Sequence, residues 1–265
     1  MCKKEKYALM HCQSPIGSVV ARAAALKVRK NGMKVIYTAH GFHFYKGAPK
    51  KNWIIFYPIE KVFSYVTDVL ITINKEDYTF AKKYMNAKQV EYLPGVGIDT
   101  EKFWLENFDE ETKRAELGIT KNDLMILSVG ELNKNKNQEV IIRAIAKLND
   151  SRIHYFIAGK GNKEEYLRNL AKNLGVNLQL LGYRADIIEL LNTADIFVLP
   201  SIREGLSVAL MEAMAVGLPC IASRIRGNVD LIEEGKGGYL CEPDDVDGFK
   251  NRICLLYTSP SPRDS

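Results

Sequence analysis

Residues 200–219 read PSIREGLSVALMEAMAVGLP, and the prediction of the fold starts from this stretch. A short apolar strand is predicted just before it, at 195–199. The segment 206–216 is apolar on almost every side, a pattern that predicts a fully buried helix. Two carboxylates interrupt the apolar sequence, Glu204 in the loop and Glu212 inside the helix. Because an unpaired buried carboxylate is strongly destabilising, we expect Glu212 to have a strong partner.

The loop between this strand and this helix has the features of an anion site. Free N–H groups and the helix dipole both favour negative charge at a helix N-terminus. Gly205, Leu206 and Ser207 form the turn at that point, directly after Glu204. Taken singly, each carboxylate also has a plain structural interpretation. Glu212 could pair with an arginine of a neighbouring element, and Glu204 could be a solvated loop charge.

Length and composition describe an ordinary globular protein. A chain of 265 residues with 46% hydrophobic and 26% charged residues can form one large domain or two small ones, each with a core. No apolar run reaches the length of a membrane-spanning helix. The cysteines are scattered and lack ligand spacing, so we expect reduced thiols in a cytoplasmic protein. They are Cys2, Cys12, Cys220, Cys241 and Cys254.

Positive charge is concentrated in the first part of the chain. Residues 1–110 contain 17 Lys and Arg against 11 Asp and Glu. Such a surface favours an anionic lipid surface or a phosphorylated acceptor, although a solvated lysine-rich surface explains the charge equally well. The pattern of basic and aromatic residues matches no nucleic-acid-binding module, so no nucleic-acid partner is expected.

Strand and helix patterns alternate regularly, which predicts an α/β protein with parallel sheets covered on both faces. In such sheets, ligands bind beyond the carboxyl ends of the strands. The predicted strands are 7–11, 34–38, 68–73, 89–93, 124–129, 153–158, 178–181, 195–199, 219–223 and 238–240. Two domains are predicted, at 1–105 and 106–253, joined through a charged linker.

Both ends of the chain are unusual for such a protein. The first domain has about four predicted strands, fewer than a doubly wound domain normally contains. The segment 254–265 is rich in Pro and Ser without an apolar period, so we expect a non-native, adapter-like tail that does not dock on the core. The chain is therefore expected to be a fragment, truncated at both ends.

The 200–219 stretch resembles the donor-binding motif of family-4 retaining glycosyltransferases, E-G-[FL]-[GPS]-x4-E-A-M-A-x-G-x-P. The matching residues are Glu204, Gly205, Leu206, Ser207, Glu212, Ala213, Met214, Ala215, Gly217 and Pro219. The resemblance, to members that make capsules and exopolysaccharides, covers nearly all of 7–253 and includes VIYTAHGFHFYKGAP and SVGELNKNKN. It implies the GT-B fold, with two Rossmann-like domains of parallel sheet, the N-terminal one incomplete here. It also implies retaining transfer of a hexosyl unit from a nucleotide-sugar, expected to be a UDP-sugar, to a glycan or lipid-linked acceptor.

The resemblance also implies roles for the residues of the motif. Glu212 would accept hydrogen bonds from the ribose hydroxyls, and Glu204 would hold the transferred sugar. The amides of 205–207 would bind the diphosphate, and so complete the donor site.

Further site residues come from other matching segments. Lys136, in the segment that begins at Gly130, would neutralise the leaving diphosphate, and His40 would contact the donor sugar. Together with Glu204, these two side chains form the predicted catalytic set. Tyr183 and Arg184 match a position whose backbone meets the nucleobase. Glu131 departs from the family pattern, which often has Arg or Lys there, so one phosphate contact is missing.

No metal and no cofactor are expected. Asp245 and Asp247 form a D-x-D triplet, but they stand at a predicted helix start, where aspartates act as caps. The aromatic helix predicted at 52–66 fits core packing. It also fits a membrane-facing patch near a lipid-linked acceptor, which would place the protein in the cytoplasm, peripherally at the inner face of the membrane.

Two other functions stay open on the sequence alone. One is a sugar-nucleotide epimerase of the same architecture. The other is an inert fragment that binds nucleotide without turnover. Because part of the acceptor side is expected to be missing, we expect this chain to bind UDP weakly and to show background turnover.

Overall fold

A computed structural model describes residues 7–95, 97–103, 105 and 108–258. The chain divides into two units, Met1–Gly97 and Ile98–Ser265. The division falls earlier than the predicted 105/106 boundary because Ile98 and Phe103 pack into the core of the second unit. Each unit is described by itself.

The first unit is built on a parallel four-stranded sheet in the order β1-β2-β3-β4 within the described residues. The four parallel strands were predicted from the sequence, and their order comes from the structure. The strands are β1 (Leu9–Cys12), β2 (Lys34–Ala39), β3 (Val69–Thr72) and β4 (Gln89–Tyr92). The helices are α1 (Pro15–Ala25), α2 (Lys50–Ser64) and α3 (Lys75–Tyr84).

Side-chain caps fix where two of these helices begin. The Ser14 side chain accepts a hydrogen bond from the Gly17 N–H at the start of α1. The Asn74 side chain accepts one from the Asp77 N–H at the start of α3.

Helix α2 has two different faces. Trp53, Phe56 and Tyr57 pack against the core of the first unit, so the core interpretation of these aromatic side chains is confirmed. In contrast, Ile54 and Ile55 are 73% and 52% exposed. The sequence could not separate these faces because aromatic and aliphatic residues follow one another in the helix.

A buried ion pair joins α1 to α2. Arg22 Nη2 lies 2.8 Å from Glu60 Oε2, and the Tyr37 hydroxyl donates to Glu60 Oε1. Burial raises the pKa of Glu60, while Arg22 opposes that rise. The Arg22 guanidinium also lies over the Tyr37 ring, so this polar group is enclosed by the first unit's core.

The second unit contains a parallel six-stranded sheet in the order β10-β9-β8-β5-β6-β7 within the described residues. Its strands are β5 (Leu124–Val129), β6 (Ile153–Ala158), β7 (Asn177–Gly182), β8 (Ile196–Leu199), β9 (Cys220–Ser223) and β10 (Gly238–Cys241). Its helices are α4 (Glu110–Glu116), α5 (Glu139–Leu148), α6 (Glu164–Leu174), α7 (Ile187–Thr193), α8 (Val208–Ala215), α9 (Asn228–Leu231) and α10 (Val246–Thr258).

Alternate residues of these strands face two separate cores. Leu127 and Phe197 belong to the core on one face of the sheet, and Ile126 and Val198 to the core on the other. This two-sided burial explains the nearly continuous apolar runs in the sequence. The fold class predicted from strand and helix alternation is thus confirmed.

The strand order reverses direction at the centre of this sheet. Strand β5 pairs with β6 on one side and with β8 on the other, so the chain proceeds outward in opposite directions from that point. In open parallel sheets such a switch point opens a crevice at the carboxyl ends of the two central strands, where ligands bind. A ligand site is therefore expected at the loops after β5 and β8.

The structure corrects the prediction for the start of the C-terminal tail. Helix α10 continues through Thr258, and both Leu256 and Tyr257 pack against the second unit's core. The Arg152 guanidinium lies over the Tyr257 ring, 5.2 Å from its centroid. The rest of the predicted tail, 259–265, lies outside the described residues.

The cysteines of the described residues are free thiols, and Cys2 lies outside them. Burial raises the pKa of the Cys220 thiol to about 12. Among the helices of the described ranges, none is both long enough and apolar enough to cross a membrane.

Candidate active site

Three loops meet at the carboxyl ends of β5, β8 and β9. The Ile202 N–H donates to the carbonyl oxygen of Asn135 at 2.7 Å, and the Asn135 side chain donates to the Arg203 carbonyl at 2.9 Å. From the other side, Arg226 Nε donates to the carbonyl oxygen of Glu204 at 3.2 Å. The loop after β8 is therefore held between the other two loops.

Lys136 and Glu204, two of the predicted catalytic residues, form an ion pair across the switch point. Lys136 Nζ lies 2.7 Å from Glu204 Oε1. The two side chains are only 20% and 15% exposed. Shielding from solvent makes their attraction stronger than that of a surface pair. The structure thus brings together two groups that the sequence placed 68 residues apart.

Gly130 makes room for the Lys136 side chain. A Cβ built on Gly130 would lie 3.1 Å from Lys136 Cε, and the φ angle of Gly130 is +152°. A second close approach lies beside it, because a Cβ on Gly159 would lie 1.9 Å from the Gly130 carbonyl oxygen. Glycine at both positions lets the backbone ends of β5 and β6 pack directly on each other.

The N-terminus of α8 lies at the end of the loop that carries Glu204. The Ser207 side chain caps the helix by accepting a hydrogen bond from the Leu210 N–H at 3.3 Å. The first-turn N–H groups and the helix dipole favour an anion at this end. The predicted set of Gly205, Leu206 and Ser207 therefore stands beside the Lys136–Glu204 pair.

Helix α8 is less buried than its apolar sequence predicts. Leu210 and Ala213 are fully buried, but Val208 and Met214 are 42% and 36% exposed. The prediction of a helix buried on every side was therefore wrong. The helix covers one face of the sheet and leaves its other side accessible.

Glu212, in the second turn of α8, is half-buried. Within the described residues it has no hydrogen-bond or ion-pair partner, so the predicted strong partner is absent from them. Burial alone raises the pKa of this carboxyl group. A partly desolvated carboxylate without a protein donor is suited to accept hydrogen bonds from a ligand.

Tyr183 and Arg184 follow β7 at the same edge of the sheet. The Tyr183 side chain is 80% exposed. Arg184 Nε donates to Asp186 Oδ1 at 2.7 Å, and Arg184 Nη2 pairs with Glu116 at 3.0 Å. Arg184 and Lys113 together hold the pKa of Asp186 well below its usual range. The Arg184 side chain therefore links α4 to the loop after β7, which leaves the predicted backbone contact with a nucleobase as a prediction.

His40 belongs to the first unit, at the carboxyl end of β2. It is exposed, and its Nε2 lies 3.4 Å from the Gln13 side-chain oxygen. Neighbouring His43 stacks on Phe56 and is part of the packing of α2. The predicted contact of His40 with the donor sugar stays a prediction.

The Asp245–Asp247 triplet acts as a cap. Asp245 Oδ1 accepts a hydrogen bond from the Gly248 N–H at 2.8 Å, at the start of α10. Asp247 pairs with Lys147 at 2.8 Å. Among the residues that the structure describes, no group of three or more His, Cys, Asp or Glu is placed to hold a metal ion.

Sequence reasoning missed Asn135 and Arg226, which hold the loop after β8 from its two sides. Their hydrogen bonds go to backbone carbonyls, so their side-chain identity carries little sequence signal. The Arg226-Gly227 pair in the loop after β9 was the available signal, since the loop after β5 also contains a glycine and a basic residue, Gly130 and Lys136.

Comparison with known proteins gives the family. The model of the family "Glycosyl transferases group 1" matches residues 109–265, and that of "Glycosyl transferase 4-like" matches residues 1–74. EpsD of Bacillus subtilis (strain 168), which is named as a glycosyltransferase, is 41% identical over 261 residues, covering 96% of this chain and 68% of EpsD. An Escherichia coli enzyme named UDP-Gal:alpha-D-GlcNAc-diphosphoundecaprenol alpha-1,3-galactosyltransferase is 33% identical, covering 96% of this chain and 67% of the enzyme.

Solved structures agree with the fold. The structure of the Anabaena protein HepE in complex with UDP and glucose superposes with a TM-score of 0.83 at 22% identity, covering 96% of this chain and 69% of HepE. WaaG, described as a glycosyltransferase involved in lipopolysaccharide biosynthesis, superposes with a TM-score of 0.72 at 20% identity, covering 93% of this chain and 75% of WaaG. The predicted GT-B architecture is confirmed, and the chain belongs to the group 1 glycosyltransferases, the family-4-like enzymes that its donor motif predicted.

Proposed function

We propose that this glycosyltransferase moves a hexosyl unit from a UDP-sugar to a glycan or lipid-linked acceptor in cell-surface polysaccharide biosynthesis, with retention at the anomeric carbon. The observation that carries the proposal is the Lys136–Glu204 pair, which lies at the switch point beside the N-terminus of α8. A cation, a helix N-terminus and two carboxylates offer complementary groups to a diphosphate, a sugar and a ribose. The relatives named above support the choice of donor and acceptor, since one is named for UDP-Gal and a diphosphoundecaprenol acceptor.

The residues of the second unit would share the work of donor binding. Lys136 and the amides of 205–207 would face the diphosphate, where they offset the negative charge that grows as the glycosidic C1–O bond breaks. Glu204 would accept hydrogen bonds from hydroxyls of the transferred sugar. Glu212, which lacks a partner within the described residues, would accept hydrogen bonds from the ribose hydroxyls.

The first unit would supply the acceptor side of the reaction. The acceptor hydroxyl oxygen would form the new bond to C1 and pass its proton to the departing UDP, which leaves with the electron pair of the broken C1–O bond. His40 would contact the donor sugar from the first unit.

We further propose that no metal ion takes part. Lys136 already supplies a positive charge at the predicted diphosphate position, and the α8 N-terminus adds to it. The test is calorimetric titration of UDP into the protein in EDTA and in Mg²⁺, which is expected to give equal affinities. UDP binding that disappears in EDTA and returns with Mg²⁺ would refute this part.

Peripheral contact with the inner face of the membrane is proposed for α2. Lys50 and Lys51 begin the helix, and the exposed Ile54 and Ile55 follow them, which combines positive charge with apolar surface. Sedimentation with anionic vesicles is expected to fall when Ile54 and Ile55 are both changed to Ser. A Val229→Ser variant, at a 45% exposed residue of the second unit, is the control. Equal sedimentation of all three proteins would refute the contact.

The experiment that tests the function measures UDP release from UDP-sugars with and without a diphospholipid-linked sugar acceptor. Acceptor-dependent UDP release with a new glycosidic bond supports transfer. An altered sugar nucleotide formed without acceptor would instead indicate an epimerase. UDP binding without transfer to the acceptor would instead indicate a nucleotide-binding protein that does not turn over. The chain spans about two thirds of its relatives' length.

A further inference from the structure

The loop after β9 contacts the loop after β8, which carries Glu204, at the turn that leads into α8. A Cβ built on Gly227 would lie 2.3 Å from the carbonyl oxygen of Gly205 and 3.2 Å from Leu206 Cα. Gly227 is buried, and its φ angle is +83°. Its backbone therefore lies directly against the turn that leads into α8.

The residue before it contacts the same turn. Arg226 is only 7% exposed, and its Nε donates to the carbonyl oxygen of Glu204 at 3.2 Å. Arg226 thus holds the carbonyl group of Glu204 by a hydrogen bond, and Gly227 lies against the carbonyl group of Gly205. A carbonyl held in this way also fixes the orientation of the next peptide N–H, because the peptide unit is planar.

The next residue anchors the loop to the sheet. Asn228 is fully buried, and its side-chain amide donates to the Ser223 carbonyl at 3.0 Å, at the end of β9. The Arg226–Gly227 pair is therefore anchored to the end of β9 by the residue that follows it.

We propose that Arg226 and Gly227 are positioning residues for the donor diphosphate and sugar. They hold the Glu204–Leu206 backbone so that the amides after Glu204 and the Glu204 carboxylate meet the diphosphate and the sugar together. Any side chain at 227 would displace the Gly205 carbonyl and rotate these groups away. The proposal rests on the donor site proposed above.

The chain offers a matched control for the main variant. Gly235 has the same φ angle, +83°, but a Cβ there would have nothing within 4 Å. It precedes β10, at the amino edge of the sheet, opposite the donor loops. Gly227→Ala and Gly235→Ala therefore both place a side chain at a residue of positive φ, while only the first meets Gly205.

The experiment titrates the full chain with UDP-glucose and with uridine monophosphate by calorimetry, and follows folding by circular dichroism and thermal melting. Gly227→Ala is expected to weaken UDP-glucose binding by about tenfold, the size of one lost charge-assisted hydrogen bond, and to leave uridine monophosphate binding close to wild type. Gly235→Ala is expected to bind both ligands normally. Equal UDP-glucose affinity in the two glycine variants overturns the proposal, and so does an equal loss for both ligands in Gly227→Ala.

A second variant keeps the test decisive if Gly227→Ala does not fold. Arg226→Met removes the donor to the Glu204 carbonyl without adding a side chain at 227. It is expected to weaken UDP-glucose selectively, and wild-type affinity in a folded Arg226→Met protein overturns the proposal. Glu212→Gln separates this idea from the donor site itself, because ribose is common to both ligands and both should bind more weakly. If Glu212→Gln binds both ligands normally, the proposed donor site is wrong, whatever the loop variants do.

Discussion

Lys136 Nζ lies 2.7 Å from Glu204 Oε1, although the two residues follow different strands on either side of the switch point. Lys136 is proposed to bind the diphosphate, and Glu204 is proposed to bind the sugar. A bound diphosphate must therefore compete with Glu204 for the Lys136 ammonium. The two residues should respond to mutation in opposite ways when UDP is the ligand.

Lys136→Met should weaken UDP binding by about ten- to a hundredfold, because charge-assisted hydrogen bonds to the diphosphate are lost. Lys134→Met is the matched control, since Lys134 is an exposed lysine two residues earlier in the same loop. Isothermal titration with UDP measures both variants. An equal effect of the two substitutions would mean that Lys136 contributes only general positive charge.

Glu204→Gln should leave UDP binding intact or tighten it, because the Lys136 ammonium no longer has a carboxylate partner. The same variant should lose affinity for UDP-glucose relative to UDP, since a carboxylate that accepts from sugar hydroxyls is removed. Titration with each ligand gives the ratio of the two affinities. A Glu204→Gln protein with the wild-type ratio would remove Glu204 from the sugar site.

Glu212→Gln should raise the melting temperature at neutral pH. Burial raises the pKa of Glu212 above its ordinary value of 4.5, so folding favours the protonated form. Its contribution to stability is thus present at low pH and lost as pH rises through the raised pKa. The difference between wild type and variant should therefore shrink as the pH falls to 4.5 and below. A variant that melts lower than wild type at neutral pH would show that Glu212 has a stabilising partner.

The contrast between strands β5 and β6 and helix α8 shows which features of the fold could be predicted from the sequence. Strands β5 and β6 were predicted to the residue because β-branched and other apolar residues fill them between polar loops. The burial of α8 was overestimated, because an apolar sequence does not say which side of a helix has a neighbour. The partner of Glu212 was predicted only because burying an unpaired carboxylate costs free energy. The structure instead leaves this carboxylate half-buried and accessible to a ligand.

Leu256→Ala should destabilise the second unit by about 1–3 kcal/mol, somewhat less than a fully buried leucine would, because its side chain packs partly buried against the core. Leu255→Ala is the control, since Leu255 is 39% exposed on the same helix. Chemical denaturation measures the free energy of unfolding of each variant. Equal free energies of unfolding in the two variants would show that the segment 254–258 does not dock on the core.

The error at this helix has a physical origin. The residues Cys254 to Thr258 precede a Pro- and Ser-rich sequence and are too few to show a helical period by themselves. Their docking depends on Arg152, which lies far from them in the sequence. The hydrogen bond from the Arg226 side chain to a backbone carbonyl could not be predicted from the sequence for a similar reason, because its acceptor lies far away in the chain. The donor motif itself was predictable because its chemistry lies in side chains at fixed spacing.

Calorimetric titration of UDP into the wild-type chain and into Glu212→Ala tests the central claim most directly. The account predicts that wild type binds UDP and that Glu212→Ala binds it about 1–3 kcal/mol more weakly, through the lost hydrogen bonds from the ribose hydroxyls. Glu165→Ala, at an exposed carboxylate of α6, serves as the charge control and should bind as wild type does. Unchanged UDP affinity in Glu212→Ala, or no UDP binding by the wild-type chain, would contradict the placement of the donor site at the carboxyl ends of β5 and β8.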